Sequence, residues 1–251
     1  MMKIFFFLTF LIFFITTNYS QIENNNFDKL KRAYPNFIKE LKGNQLIFFD
    51  NSSMIFDDRN YKNQKELLTN PDVEDMFTQK YVSFDISKKT DAGRIRNEAF
   101  FKKMYGNTKA EVESKLIEIA WCPKLVNQKI KITTVNDIHL KVQKISNELD
   151  QHPELKKYLT NIGGTFNWRN ISGSNRLSMH SFGMTIDINV SFSNYWQWKC
   201  KCTDEYITVQ YINKIPKTIV TIFEKNGFIW GGNWVHFDTM HFEYRPELLL
   251  N

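Results

Sequence analysis

Two short stretches of the chain alternate strictly between apolar and polar positions. In Met184-Thr185-Ile186-Asp187-Ile188-Asn189-Val190, Met184, Ile186, Ile188 and Val190 fall on one face, and Asp187 and Asn189 on the other. That period of two predicts a strand with one buried face. Met240-His241-Phe242-Glu243-Tyr244 repeats the design, with Met240, Phe242 and Tyr244 inward and His241 and Glu243 outward. Two such strands can build a common polar site between them. Lys129–Thr133 also alternates and predicts a strand, and Leu46–Phe49 is a strand-like piece between turn signals. Helical spacing marks Ile138, Val142, Ile145 and Leu149, with Asn136 as the expected cap. Val112, Leu116 and Ile119 predict a further helix beginning at Thr108. Pro216 opens another, with Ile219, Ile222 and Phe223 inward and Gly227 as its stop. A short helix is expected around Phe37–Leu41. The fold class is therefore α+β: a small antiparallel sheet carrying a site, helices packed on one side, and an N-terminal wrap.

The first residues stand apart from this pattern. Lys3 precedes a run from Ile4 to Ile15 that is apolar except for Thr9, and small and polar residues follow to Ser20. This predicts a signal peptide over residues 1–20, because the run is shorter than the ~20 apolar residues a spanning helix needs. The expected location is secreted, periplasmic or cell-envelope, with no transmembrane segment once the leader is removed. Residues 21–107, polar and broken by turns, are expected to form an N-terminal lobe, and 108–251 the catalytic domain. The net charge of +6 suits an anionic cell wall. Nucleic acid is a poor partner, because the basic residues are scattered among acids. An exported chain could pair Cys122 with Cys200 or Cys202, leaving one thiol free. Cys200-Lys201-Cys202 is too tight for a cysteine zinc site.

Five histidines bound the search for chemistry. His139 falls inside a predicted helix and His152 beside Pro153, so both read as surface residues. His180 is followed by Gly183, where the backbone can turn sharply and lead into the strand bearing Asp187. With His241 these make two imidazoles and a carboxylate, the donor types and count of a zinc site that keeps a fourth position open. Neither H-E-x-x-H nor G-x-S-x-G occurs, which argues against a helix-borne zinc protease and a serine hydrolase.

The stretch Ser178-x-His180-x-x-Gly183-x-x-x-Asp187, with Gly231-Gly232-x-Trp234 and Asp238-x-x-His241-Phe242 after it, resembles the VanY-type D-alanyl-D-alanine carboxypeptidases. That family of zinc peptidases includes VanX-type dipeptidases and L-alanyl-D-glutamate endolysins. The resemblance covers roughly residues 135–246. It implies zinc on His180, Asp187 and His241, a general base at Asp238 where many members carry Glu, and a substrate in peptidoglycan stem peptides. It also suggests that Arg169 faces the scissile carbonyl or the substrate carboxylate, with Arg176 as its rival. Strand alternation alone would favour Glu243 as the base, and His236 is an auxiliary candidate. Tyr195, Trp196, Trp198, Trp230 and Trp234 could wall the pocket. A zinc-bearing binding module without activity, or a wall lysin cutting L-alanyl-D-glutamate bonds, are the alternatives.

Overall fold

The computed structural model describes residues 23–84 and 89–250. The leader expected over residues 1–20 lies outside them. Helix α1 covers 23–33 and leads into a three-stranded antiparallel meander of β1 (Ile38–Lys42), β2 (Gln45–Phe48) and β3 (Ser53–Ile55). Three helices follow, α2 (Gln64–Thr69), α3 (Glu98–Tyr105) and α4 (Lys109–Glu113), then the hairpin β4 (Leu116–Trp121) and β5 (Gln128–Thr133). After α5 (Ile138–Leu149) and α6 (Lys156–Leu159), the chain builds a four-stranded antiparallel sheet. Its strands are β6 (Ile162–Gly164), β7 (Thr185–Asn189), β8 (Phe228–Trp230) and β9 (His241–Tyr244), in the order β6-β7-β9-β8. Helices α7 (Trp196–Cys200) and α8 (Lys217–Glu224) lie between β7 and β8 in the chain.

The expected α+β arrangement is what the chain adopts, with several local differences. Phe37–Leu41 is mostly strand β1, because the Gly43-Asn44 turn pairs Lys42 with Gln45. The helix after Thr108 stops at Glu113, and Leu116 and Ile119 belong to β4. Their three-residue spacing fits a helix and puts them on opposite faces of a strand, yet six-residue pairing with β5 decides for the strand. Helix α5 has the predicted face, but Asn136 is not its cap: its side chain donates to the Tyr105 hydroxyl, and Asp137 precedes the helix without a capping bond. Val190 is exposed because β7 ends at Asn189, whose side chain accepts from the Ser191 amide and starts a new turn. The cysteine pairing also differs: Cys200 is bonded to Cys202, and Cys122 is free and buried.

Helices cover one face of the main sheet. Ile219, Val220, Ile222 and Phe223 of α8 are buried, and the Phe223 ring stacks on Phe242 of β9 at 3.9 Å between centroids. Met184, Ile186 and Ile188 are fully buried on the same side. Burying a side chain of this size stabilises by about 1.5–3 kcal/mol, so the apolar face fixes the strand register. A one-residue slip would drive Asp187 and His241 into the core. The opposite face is lined by residues that continue the alternation of β9 beyond its end: His241, Glu243, Arg245 and Glu247, all buried. The N-terminal half covers part of this face and shares the main hydrophobic core through Leu30, Tyr34, Phe100 and Phe101.

Candidate metal centre and cleft

Strands β7 and β9 pair with Asp187 directly opposite His241, so the two side chains share the polar face. His180 arrives from a single helical turn, Met179–Phe182, which ends at Gly183 with φ +63°. A Cβ on Gly183 would also lie 2.6 Å from Leu116, so the reversal that aims His180 at β7 requires glycine. Together the three side chains can each offer one atom within 4.8 Å of the others.

The tautomers follow from the outer contacts. His180 Nδ1 lies 3.1 Å from the Thr165 carbonyl, an acceptor, so Nδ1 carries the proton and Nε2 a lone pair. His241 Nε2 lies 3.2 Å from Glu243 Oε2, so its proton is there and Nδ1 faces inward. The inward atoms are then His180 Nε2 and His241 Nδ1, 3.2 Å apart, with Asp187 Oδ2 3.1 Å from the first and Oδ1 3.0 Å from the second. Three acceptors converge and want a cation between them. Burial would lower the His241 pKa, but hydrogen bonds to Asp187 and Glu243 outweigh it and raise it to about 10. In the absence of a metal, a proton does the cation's work. Burial would likewise raise the Asp187 carboxyl, yet the two histidines hold it well below the usual carboxylate range. Each imidazole has an outer acceptor that fixes its ring, the arrangement that metal-binding histidines use. The residues fit a metal of the zinc type.

A second acidic group, Asp57, Asp58 and Asp72, has comparable spacing. There Lys62 Nζ stands 3.0 Å from Asp58 and 2.9 Å from Asp72, so an ammonium supplies the positive charge.

Asp238 lies on the loop that enters β9. Its amide bonds the Gly231 carbonyl at 3.0 Å, and a Cβ on Gly231 would come within 2.6 Å of the Asp238 carbonyl, which explains a glycine there. Its carboxylate Oδ1 is buried with no hydrogen-bond partner among the described residues. Burial, and then the neighbouring Asp187 charge, push its pKa up to about 7. An orphaned acceptor of that strength beside the metal group can take a proton near neutral pH.

Glu243 is differently placed. It shares the face of His241 as alternation predicts, but it is fully buried and held by Arg96 at 2.6 Å and Arg245 at 3.1 Å. Burial opposes its ionisation, whereas Arg96, His241 and Arg245 hold the pKa well below the ordinary range. Such a carboxylate orients His241 and is a poor base. His236 bonds Asp91 through Nδ1 at 2.7 Å, and its Nε2 has no hydrogen bond among the described residues, the Glu205 carboxylate being 3.8 Å away.

A cleft of about 290 Å³ joins these groups; His180, Asp187, His241, Asp238 and Arg169 all line it. Tyr195, Trp196, Trp198 and Trp234 form its walls as expected. Trp230 does not line it: the ring is fully buried, donates to the Thr239 carbonyl and stacks on Phe84. Arg169 is exposed, its backbone fixed by the Ser181 hydroxyl at 3.0 Å. The sequence reading missed Asp91, Arg94, Arg96 and Glu205. Arg94 and Arg96 line the cleft, Arg94 making a two-pronged pair with Glu205 at 2.8 Å and 2.8 Å. No periodic pattern marks them, since each acts through a partner far away in the chain.

Comparison with curated proteins and with solved structures returned no match. Residues 172–244, which hold the three converging ligands and Asp238 but begin after Arg169, match the family model described as D-alanyl-D-alanine carboxypeptidase, the family that the motif spacing resembles, and so support a metallopeptidase acting on peptidoglycan.

Proposed function

We propose that this chain is a zinc-dependent peptidase of the D-alanyl-D-alanine carboxypeptidase type, exported to the cell envelope. The observation that carries the reading is the convergence of His180 Nε2, His241 Nδ1 and Asp187 beside Asp238, whose carboxylate Oδ1 has no hydrogen-bond partner among the described residues. Zinc, when bound by the two histidines and Asp187, polarises the scissile carbonyl and acidifies the attacking water. Asp238 accepts the proton of that water and returns it to the leaving amine. Glu243 and the Thr165 carbonyl hold the imidazoles in the required tautomers. Arg169 faces the developing oxyanion with its guanidinium donors. The unsatisfied Oδ1 of Asp238 speaks against a module that only binds, because a fully satisfied side chain would serve that purpose better.

The test is mass spectrometry of purified wall fragments and synthetic stem peptides after incubation with the zinc-loaded mature chain. Release of a terminal D-alanine is the expected outcome. Cleavage after L-alanine would transfer the chain to the lysin type, and no cleavage by protein holding one zinc would overturn the reading.

A further inference from the structure

The one disulfide among the described residues, Cys200–Cys202, closes a ring around a single residue, Lys201. In the chain-entropy account a bridge stabilises by restricting the unfolded chain, and that restriction shrinks with the loop it closes. A bond across one intervening residue therefore does little as a crosslink, and it joins no elements that are distant in the chain. The backbone inside the ring is also unfavourable. Lys201 has φ +54°, in the left-handed region that favours glycine, where its amide bonds the Gln197 carbonyl at 2.8 Å and ends α7. Cys122 is no rival partner: it is buried, and burial pushes its thiol up to about 12, so it stays protonated and unreactive.

Access and charge favour chemistry at this bond. Both cysteines are half-buried, and Lys199, Lys201 and Thr203 beside them are exposed. Accessible disulfides are the reducible kind, and neighbouring ammonium groups favour the thiolate that departs. What the bond holds in place is one wall of the cleft. Helix α7 carries Trp196 and Trp198, both lining the cleft, and the Trp196 ring packs on His236 at 4.7 Å between centroids. Past the bond, Glu205 makes its two-pronged pair with Arg94. Thr203 lies against Gly173, where an added Cβ would be 3.1 Å from its methyl group. Gly173 belongs to the loop between Arg169 and Ser178, whose ends bond at 2.9 Å. Residues 201–215 contain no helix or strand, so the bond sets the direction in which the chain leaves α7 to make these contacts.

We propose that Cys200–Cys202 is a thiol–disulfide exchange site: a dithiol opens it in the folded chain and frees residues 200–205 from the cleft. One thiolate of the dithiol attacks a sulfur of the pair, and the S–S bond breaks with its electron pair on the other cysteine. The second thiol of the dithiol then resolves the mixed disulfide. The protein gains two thiols, taking two electrons and two protons, and the dithiol leaves as its own disulfide. His180, Asp187 and His241 take no part. The inference uses the geometry of the cleft and does not depend on the peptidase reading.

The experiment uses the full mature chain loaded with zinc, without denaturant, incubated with dithiothreitol or with its oxidised form. Alkylation by iodoacetamide and peptide mass spectrometry then read which thiols are free. Cys200 and Cys202 should be labelled after reduction, and Cys122 should not. Hydrogen–deuterium exchange on the same samples should be about tenfold faster across residues 196–205 in the reduced chain, the mark of a local opening, and unchanged in β7 and β9. The double variant Cys200→Ser/Cys202→Ser should exchange like reduced wild type and should not respond to dithiothreitol. The proposal is overturned if the two cysteines are labelled only after denaturation. It is equally overturned if the reduced chain and the double variant exchange across 196–205 as slowly as the oxidised chain. Faster exchange of the double variant on adding dithiothreitol would trace the opening to metal removal by the reagent, and would overturn it too.

Discussion

Asp238→Asn separates the base from the ligands, and its effects can be worked out in two conditions. With zinc bound, the substitution removes proton acceptance but leaves His180, Asp187 and His241 in place. Turnover should fall about 10²- to 10⁴-fold, the usual range for losing an acid–base group, with zinc content unchanged. Without metal, the same change should be stabilising at alkaline pH. The Asp238 carboxyl is pushed up to about 7 by burial and by Asp187. Its folded-state value lies above the unfolded one, so the stability it contributes is full below pH 4 and is lost as pH rises through 7. At pH 8 the cost reaches at most about 4 kcal/mol, at 1.36 kcal/mol per pKa unit. Asn is neutral and avoids that cost, but its amide needs a partner that Oδ1 now lacks, which takes back about 1–3 kcal/mol. The metal-free variant should therefore be about 1–3 kcal/mol more stable than wild type at pH 8 and no more stable at pH 4. Urea melts of the chelator-treated proteins at both pH values measure this, and turnover is compared at equal zinc content. If the Asn variant keeps near-wild-type turnover, Asp238 is not the base. If its metal-free form gains nothing at pH 8, the carboxyl is not held in the environment described.

Two further outcomes are expected. Glu243→Gln should weaken zinc binding about 10- to 100-fold, as loss of an outer partner usually does, and should lower the melting temperature by removing the buried counter-charge of Arg96 and leaving Arg245 with Glu247 alone; a variant with wild-type metal affinity and stability would refute its orienting role. Zinc binding at pH 8 should release close to one proton, because His241 is raised to about 10 in the metal-free protein; calorimetry in two buffers of different ionisation enthalpy counts it, and no release would mean that Nδ1 of His241 is not a ligand.

The site was legible where chemistry coincides with periodicity. Asp187 and His241 could be found because each is the polar position in an apolar alternation, and their strands pair with those two residues opposite each other. His180 was legible through Gly183, whose positive φ is the turn the sequence needed. The role of Glu243 was not legible. Alternation placed it correctly on the face of His241, but only the positions of Arg96 and Arg245 turn that carboxylate from a base into a fixed acceptor. Arg96 is 147 residues from Glu243, and no local pattern encodes so distant a pairing. The same applies to Asp91, 145 residues before His236. Helical spacing also misled at Leu116 and Ile119, since pairing with a neighbouring strand is a tertiary fact.

These distant pairs bear on whether residues 108–251 can stand alone. Glu243 is neutralised in part by Arg96, the Gly93 carbonyl accepts from Arg245 at 3.1 Å, and the Tyr34 hydroxyl donates to Glu247 at 2.7 Å. Removing the N-terminal part would strip all three contacts from one buried row. Loss of one partner in a buried ion pair costs about 3–5 kcal/mol. The cut would also remove Leu30, Tyr34, Phe100 and Phe101 from the shared core, each contributing about 1.5–3 kcal/mol. Together these losses are as large as the roughly 5–15 kcal/mol that holds an ordinary domain folded. A chain of residues 108–251 should therefore show no cooperative thermal transition and no zinc retention after dialysis, although it contains every proposed ligand. Arg96→Gln in the full mature chain is the milder version, and it should lower both the melting temperature and the zinc affinity while leaving the fold intact. A cooperative melt of the 108–251 fragment with one bound zinc would refute the argument, and would make the N-terminal half a cover that the metal centre does not need.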